Sequence, residues 1–276
     1  MRIAIFQGPA EGSEVRHNLR RLEEAAASAA GQGASLLICP EMFTTGYNIG
    51  AEVRRLAEPA DGPTAREAAE IALRSGVALL YGYPERAPDG GAYNAALLLG
   101  RDGRMLANAR KCHLYGDLDR GVFTPGPGGF ASAVLDGLRI GILICYDVEF
   151  PEAVRAHALA GADLVAVPTA LMEPFEVVTR TVVPARAYEN QVFLAYANRC
   201  GIEGKLTYCG ESCVVGPDGV DLARAGRDEE LITAELDFGR LRGSRRINTH
   251  LQDRRPELYR TLLAPARPTE KTTGQA

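Results

Sequence analysis

A chain of 276 residues, 46% hydrophobic and 24% charged, is ordinary for a water-soluble globular protein and could hold one or two domains. Its formal net charge of -4 argues against a dedicated nucleic-acid binder, and no apolar run approaches the length needed to cross a bilayer. Six cysteines (39, 112, 145, 200, 209, 213) lack a disulfide framework, and four histidines (17, 113, 157, 250) lack zinc-like pairing, so no metal site is expected.

Residues 3–7 read as a first strand rather than an export leader, which predicts free thiols in a reducing cytoplasm. An alanine-rich amphipathic helix follows over 15–30, then a buried strand over 35–39 that ends at Pro40-Glu41. A helix is predicted over 64–75 and a strand over 77–82. Residues 93–99 and 105–110 form a hairpin about the polar turn 100–103. The apolar run 139–145 reads as a strand, leading into a helix over 151–160 that opens on Pro151, and then a strand over 164–168. A longer helix over 177–190 precedes a strand at 192–198. A late hairpin, 211–215 with 222–225, surrounds 216–219, and a last strand covers 231–236. Helices between strands, with hairpins mixed in, fit a mixed sheet, or two stacked sheets covered by helices, better than one purely parallel sheet. No Gly/Ser/Pro-rich linker divides the interior, so residues 1–263 are expected to be one domain, with 264–276 a flexible polar tail.

Three chemistry-bearing residues stand where a core strand runs into a polar loop: Glu41 after 35–39, Lys111 after 105–110, and Cys145 after 139–144. Taken alone, such a cysteine is more often packing than chemistry, and a lone Glu or Lys at a strand end is commonplace. Together they are chemically complementary, and strand ends in α/β architectures converge on ligands. A thiol needs a base or a positive field to become nucleophilic. Glu41 can take its proton, and Lys111 can stabilise both the thiolate and the oxyanion of an attacked carbonyl. The Tyr146 backbone N–H offers a second donor to that oxyanion. His113 is the alternative base.

Pro40-Glu41, Arg110-Lys111-Cys112-His113-Leu114 and Cys145-Tyr146-Asp147-Val148-Glu149-Phe150-Pro151-Glu152 resemble the three signature segments of the nitrilase, or carbon–nitrogen hydrolase, superfamily. The likeness runs from Ile3 to about Leu236. It implies an α-β-β-α sandwich that pairs across subunits into a homodimer or higher assembly. It also implies a Glu41–Lys111–Cys145 triad and cofactor-free hydrolysis of a non-peptide C–N bond. Many members carry a further catalytic Glu at a fixed distance before a Pro-Gly. Counting back from Gly126 puts Asp119 there, a shorter carboxylate, with Asp117 as its rival.

Segments 44–50, 81–86, 114–120 and 167–174 are similar to the bacterial 5-aminopentanamidase branch, close to the R-stereoselective amidases. That implies 5-aminopentanamide as substrate, converted to 5-aminopentanoate and ammonia in lysine breakdown. An N-carbamoyl amine hydrolase or an R-stereoselective carboxamidase is the alternative, with a nitrilase or a noncatalytic metabolite binder further off. A substrate ammonium needs carboxylates or aromatic faces, because a buried unpaired cation is costly. Tyr47, Asn48, Glu149, Thr169, Ala170, Glu173 and Glu176 lie in segments expected at the pocket; Glu173 is the preferred acceptor, Glu149 being assigned rather to support of the Cys145 turn.

Overall fold

The structure is a computed structural model that describes residues 1–10 and 12–263. The tail expected to be flexible, 264–276, lies outside the described residues. One sheet contains β1 (Arg2–Gln7), β2 (Leu36–Ile38), β3 (Ala78–Arg86), β4 (Ala92–Leu99), β5 (Met105–Arg110) and β14 (Glu230–Glu235). The other contains β6 (Ser132–Leu135), β7 (Leu138–Ile142), β8 (Leu164–Pro168), β9 (Phe193–Ala197), β12 (Cys213–Val215) and β13 (Asp221–Arg224). A small hairpin, β10 (Ile202–Glu203) with β11 (Leu206–Thr207), stands apart. The helices are α1 (Val15–Gly31), α2 (Glu52–Leu56), α3 (Pro63–Ser75), α4 (Gly116–Arg120), α5 (Pro151–Leu159), α6 (Val183–Asn190) and α7 (Phe238–Ile247).

Each sheet has three parallel strands at its heart, β1-β2-β3 in one and β7-β8-β9 in the other, with antiparallel strands outside them. The parallel strands are apolar on both faces, and their period of two divides the side chains between layers. Ile3, Ile5, Leu36 and Ile38 meet Ile140, Ile142, Leu164 and Ala166 between the sheets. Ala4, Phe6 and Leu37 turn outward onto Leu19, Leu22 and Ala26 of α1 and Ala68 and Ile71 of α3. Val165, Val167 and Leu194 turn outward onto Val154 and Ala158 of α5 and Ala187 of α6. This is the helix–sheet–sheet–helix layering the sequence pattern implied. Each large aliphatic side chain so buried contributes about 1.5–3 kcal/mol.

Three boundaries differ for physical reasons. β7 stops at Ile142, and Cys145–Glu149 coil into a 3₁₀ turn, so the cysteine begins a turn instead of ending a strand. The single helix expected over 177–190 opens with a π-helical stretch, Val178–Val182, before α6. Pro184 lacks the N–H that would bond back to Arg180, which disfavours the regular α pattern there. β3 extends to Arg86, past its expected end, because β4 pairs along its whole length. Sequence patterning missed α2, α4, β6, the β10–β11 hairpin and α7.

Candidate active site

The parallel strands of both sheets point their C-terminal ends at one pocket, and the loops leaving them carry its chemistry. Glu41 lies three residues past β2, Cys145 three past β7, Thr169 and Ala170 directly after β8, and Lys111 directly after β5. β4 runs antiparallel, so the start of that strand brings Asn94 to the same edge. Gly82 on β3 makes room for the Glu41 turn: a Cβ there would lie 2.2 Å from the Met42 nitrogen.

Lys111 is the hub. Its ammonium is fully buried, 2.7 Å from Glu41 Oε1 and 2.7 Å from Asp119 Oδ2, and lies 5.6 Å from the centre of the Tyr47 ring. Asp119 is held in turn by the Tyr47 hydroxyl at 2.7 Å and the Tyr115 N–H at 2.8 Å. Asn94 Nδ2 donates to Glu41 Oε1 at 2.6 Å. Glu41 Oε2 is buried without a hydrogen bond among the described residues, which leaves it a lone pair for a proton. Burial pushes the Glu41 carboxyl above the usual carboxylate range; Lys111 opposes that rise and Asp119 adds to it. Burial works against the charge of Lys111, but Glu41, the Cys145 sulfur and Asp119 outweigh it and hold the ammonium well above the ordinary lysine range.

Cys145 is 9% exposed and adopts φ 47°, a left-handed backbone that suits a residue lifted out of a turn. Burial raises its thiol above the ordinary cysteine value, and Glu41 adds to that. Lys111, the Ala170 N–H and the Thr169 hydroxyl pull the other way, favouring the sulfur anion. The Thr169 hydroxyl also lies 3.1 Å from the Tyr196 hydroxyl. On balance burial favours the neutral thiol, unlike the ion pair of a low-pKa cysteine.

The structure thus gathers Glu41, Lys111, Cys145, Asp119, Tyr47, Thr169 and Ala170. Asp117 is exposed on α4 and Asp119 is the residue that meets Lys111. Glu173 does not fit its expected part: its carboxylate is engaged by Arg227 at 2.6 Å, and Glu176 pairs with the same guanidinium at 3.0 Å. A carboxylate already neutralised by a guanidinium is not free for a substrate cation. Asn48 is tied to Glu203. His113 is bound at 2.8 Å to Asp147 and stacked on Phe150 at 3.8 Å, bracing the Cys145 turn.

Several supporting residues went unforeseen. Asn94, Tyr196 and Asp147 are among them, as is Arg199, 1% exposed, which donates to the carbonyls of Glu41 at 3.0 Å and Met42 at 2.6 Å. Glu203 accepts from the Tyr47 and Asn48 N–H groups at 2.9 and 3.0 Å, fixing the loop that carries Tyr47 to Asp119. Among the described residues no group of three or more His, Cys, Asp or Glu side chains could hold a metal ion, and no helix is long and apolar enough to cross a membrane.

The carbon-nitrogen hydrolase family model matches residues 2–246. The chain belongs to that family. A hydrolase of Pseudomonas protegens is 51% identical over 95% of this chain and 92% of its own length. An (R)-stereoselective amidase of a Pseudomonas species is 38% identical over 92% of each chain. Among solved structures, an amidase from Nesterenkonia sp. superposes with a TM-score of 0.86 at 38% identity, covering 95% of this chain and 96% of that one. Another structure of the Nesterenkonia sp. AN1 amidase carries the acetamide moiety of fluoroacetamide added covalently at the active-site cysteine. The two-sheet sandwich described above is the nitrilase-superfamily fold. This member of the family is an amidase-type hydrolase of carbon–nitrogen bonds other than peptide bonds, working through a cysteine.

Proposed function

We propose that this enzyme cleaves a linear aliphatic carboxamide to its carboxylate and ammonia through a thioester on Cys145, with 5-aminopentanamide, a product of lysine breakdown, as the substrate. The observation that carries the assignment of roles is the buried ammonium of Lys111 set 2.7 Å from both Glu41 and Asp119, within the electrostatic reach of the Cys145 sulfur. The covalent addition of the acetamide moiety of fluoroacetamide at the active-site cysteine of a mutant Nesterenkonia amidase, an alkylation that displaces fluoride, supports a nucleophilic sulfur at Cys145 here.

In this reading the Cys145 sulfur attacks the amide carbon as its proton passes to Glu41. The carbonyl oxygen becomes an oxyanion held by the Lys111 ammonium and the Tyr146 N–H. Glu41 then hands its proton to the leaving nitrogen, the C–N bond breaks, and ammonia departs. Water next attacks the thioester carbon and gives its proton to Glu41; collapse expels the sulfur, which takes that proton back. Glu41 therefore alternates as base and acid, and its raised proton affinity suits it to both roles. Asp119 keeps Lys111 in place and charged.

An R-stereoselective carboxamidase using the same machinery is the second reading, favoured by the 38% identity to an enzyme so named. The proposed active unit is one domain, residues 1–263, in a homodimer or larger assembly, for which the exposed Tyr188, Ile247 and Leu262 supply apolar surface. Six free cysteines are in keeping with a cytoplasmic setting.

Cys145→Ala is expected to abolish ammonia release from 5-aminopentanamide while leaving the thermal transition in place. Turnover at the native rate in that variant rules out the thioester. An N-carbamoyl amine offered in place of the amide, and turned over faster with release of carbon dioxide along with ammonia, would identify a carbamoyl substrate instead.

A further inference from the structure

The Cys145 turn ends on a carboxylate that was expected to support it, yet among the described residues its side chain makes no bond within the turn. Glu149 is half-buried, four residues past the sulfur on the same 3₁₀ turn. Arg186 donates to its backbone carbonyl at 2.7 Å and to that of Val148 at 3.1 Å, which fixes where the side chain starts. The Arg186 guanidinium is closed off on another side by Glu189 at 3.1 Å. Among the described residues the Glu149 carboxylate itself takes no hydrogen bond or ion pair, although the charges of Lys111 and Arg186 act on it.

Its surroundings are those of the sulfur. Tyr115 and Tyr196 each lie within electrostatic reach of both Glu149 and Cys145. Tyr115 meets Tyr146 edge-on at 5.4 Å and Phe175 at 6.2 Å, forming an aromatic rim beside it. The other carboxylates expected at the pocket are committed, apart from Asp117, which is exposed on α4. Glu41 and Asp119 hold Lys111, and Glu173 and Glu176 hold Arg227. A half-buried carboxylate pays for desolvation without return unless a cation arrives. Burial accordingly raises its proton affinity.

We propose that Glu149 receives the terminal ammonium of an ω-amino amide bound at Cys145, and that this contact sets the preference for amino amides over neutral ones. The proposal rests on the substrate reading above and gives that substrate a residue. A 3₁₀ turn advances about 2 Å per residue, placing the Cα atoms of Cys145 and Glu149 about 8 Å apart along its axis. An extended 5-aminopentanamide spans about 6 Å from carbonyl carbon to ammonium nitrogen. The two ends of such a molecule can therefore engage the sulfur and the carboxylate together, while the tyrosine faces accommodate the methylenes and the cation.

The test compares kcat/KM for 5-aminopentanamide and pentanamide in the native enzyme, Glu149→Gln and Glu149→Arg. Glu149→Gln keeps shape and removes charge, and the ratio of amino amide to neutral amide is expected to fall at least tenfold, chiefly through KM. Glu149→Arg is expected to reverse the choice, turning over the ω-carboxy amide of the same length in preference to 5-aminopentanamide. A native preference for 5-aminopentanamide that both variants retain overturns the role of Glu149 and leaves the substrate reading standing. A native enzyme that hydrolyses pentanamide as well as the amino amide overturns the ammonium subsite and the ω-amino substrate together, leaving the thioester chemistry intact.

Discussion

Met42 and Cys145 both adopt left-handed backbone, at φ 50° and 47°, and each lies just past a parallel strand, one in either sheet. Such conformations cost of order 1–3 kcal/mol for a residue with a side chain, so something must hold each turn. The Cys145 turn is held by an anion. Asp147 accepts from the N–H groups of Ile144 at 3.2 Å, Cys112 at 3.4 Å and His113 at 2.9 Å, and from the His113 ring at 2.8 Å. The Glu41–Met42 turn is held by a cation. Arg199 reaches its carbonyls from beyond the end of β9 in the opposite sheet, and the Glu41 N–H bonds to the Thr169 carbonyl, also in that half. The nucleophile turn thus carries its own brace, an anion that also grips Cys112 and His113 beyond β5 of the other sheet. The base turn carries none and is held by a cation that the other sheet supplies.

Removing the anion should do the most damage. Asp147→Ala leaves three buried or partly buried N–H groups without an acceptor, a loss of about 3–9 kcal/mol at about 1–3 kcal/mol for each such group. The cysteine turn then loosens, and ammonia release is expected to drop by about a thousandfold, or about 4 kcal/mol in the barrier. Chemical denaturation and steady-state kinetics read both losses. Native-like kinetics in a folded Asp147→Ala protein would show that the 3₁₀ turn holds its shape unaided.

Arg199→Met separates the two braces. Two buried carbonyls lose their donors, at a cost of about 2–4 kcal/mol, while the Cys145 turn keeps its own support. Glu41 is expected to shift relative to the sulfur, lowering kcat about a hundredfold with KM little changed. Alkylation of Cys145 by a small haloacetamide, which reports on the nucleophile's turn, should slow less than turnover does. A rise in KM with native kcat would mean that Arg199 shapes the substrate pocket instead of placing the base.

This difference in bracing also explains what the sequence disclosed. Glu41 and Cys145 were legible because each follows an apolar run long enough to be read as a strand, Lys111 because it follows the second strand of a recognisable hairpin, and their side-chain types are complementary. Asp119 could be reached by counting back from Pro125-Gly126, whereas its competition with Asp117 was decided by which face of the short α4 is buried. Arg199 left no such trace. Its partners are backbone carbonyls, which every residue has, so no complementary side chain betrays the pairing. Glu173 misled for the converse reason: its partner, Arg227, lies 54 residues away in a loop that no local pattern connects to it. The five-residue helices α2 and α4 are too short for a 3.6-residue period to show. β6 is an edge strand of four residues, only one of them buried, and α7 carries Gly239 and Gly243 inside a polar sequence with one buried residue.

The pH profile asks which of the two turns supplies the base. Glu41 must be ionised to take the thiol proton, so activity is present above its pKa in the folded enzyme and lost as pH falls through it. Because burial and Asp119 raise that value and Lys111 only partly offsets them, the acid limb of kcat/KM should lie on the neutral side of an ordinary glutamate. Asp119→Asn removes the neighbouring negative charge and is expected to move the limb to lower pH as well as reduce the plateau. Cys145 cannot produce this limb, since burial and Glu41 hold its thiol above the usual cysteine range. The rival is His113, whose ring is bound to Asp147 on the nucleophile's side. A limb unmoved by Asp119→Asn but displaced by His113→Gln would hand the proton transfer to the ring that Asp147 grips, and the cation reaching across from β9 would then position a spectator.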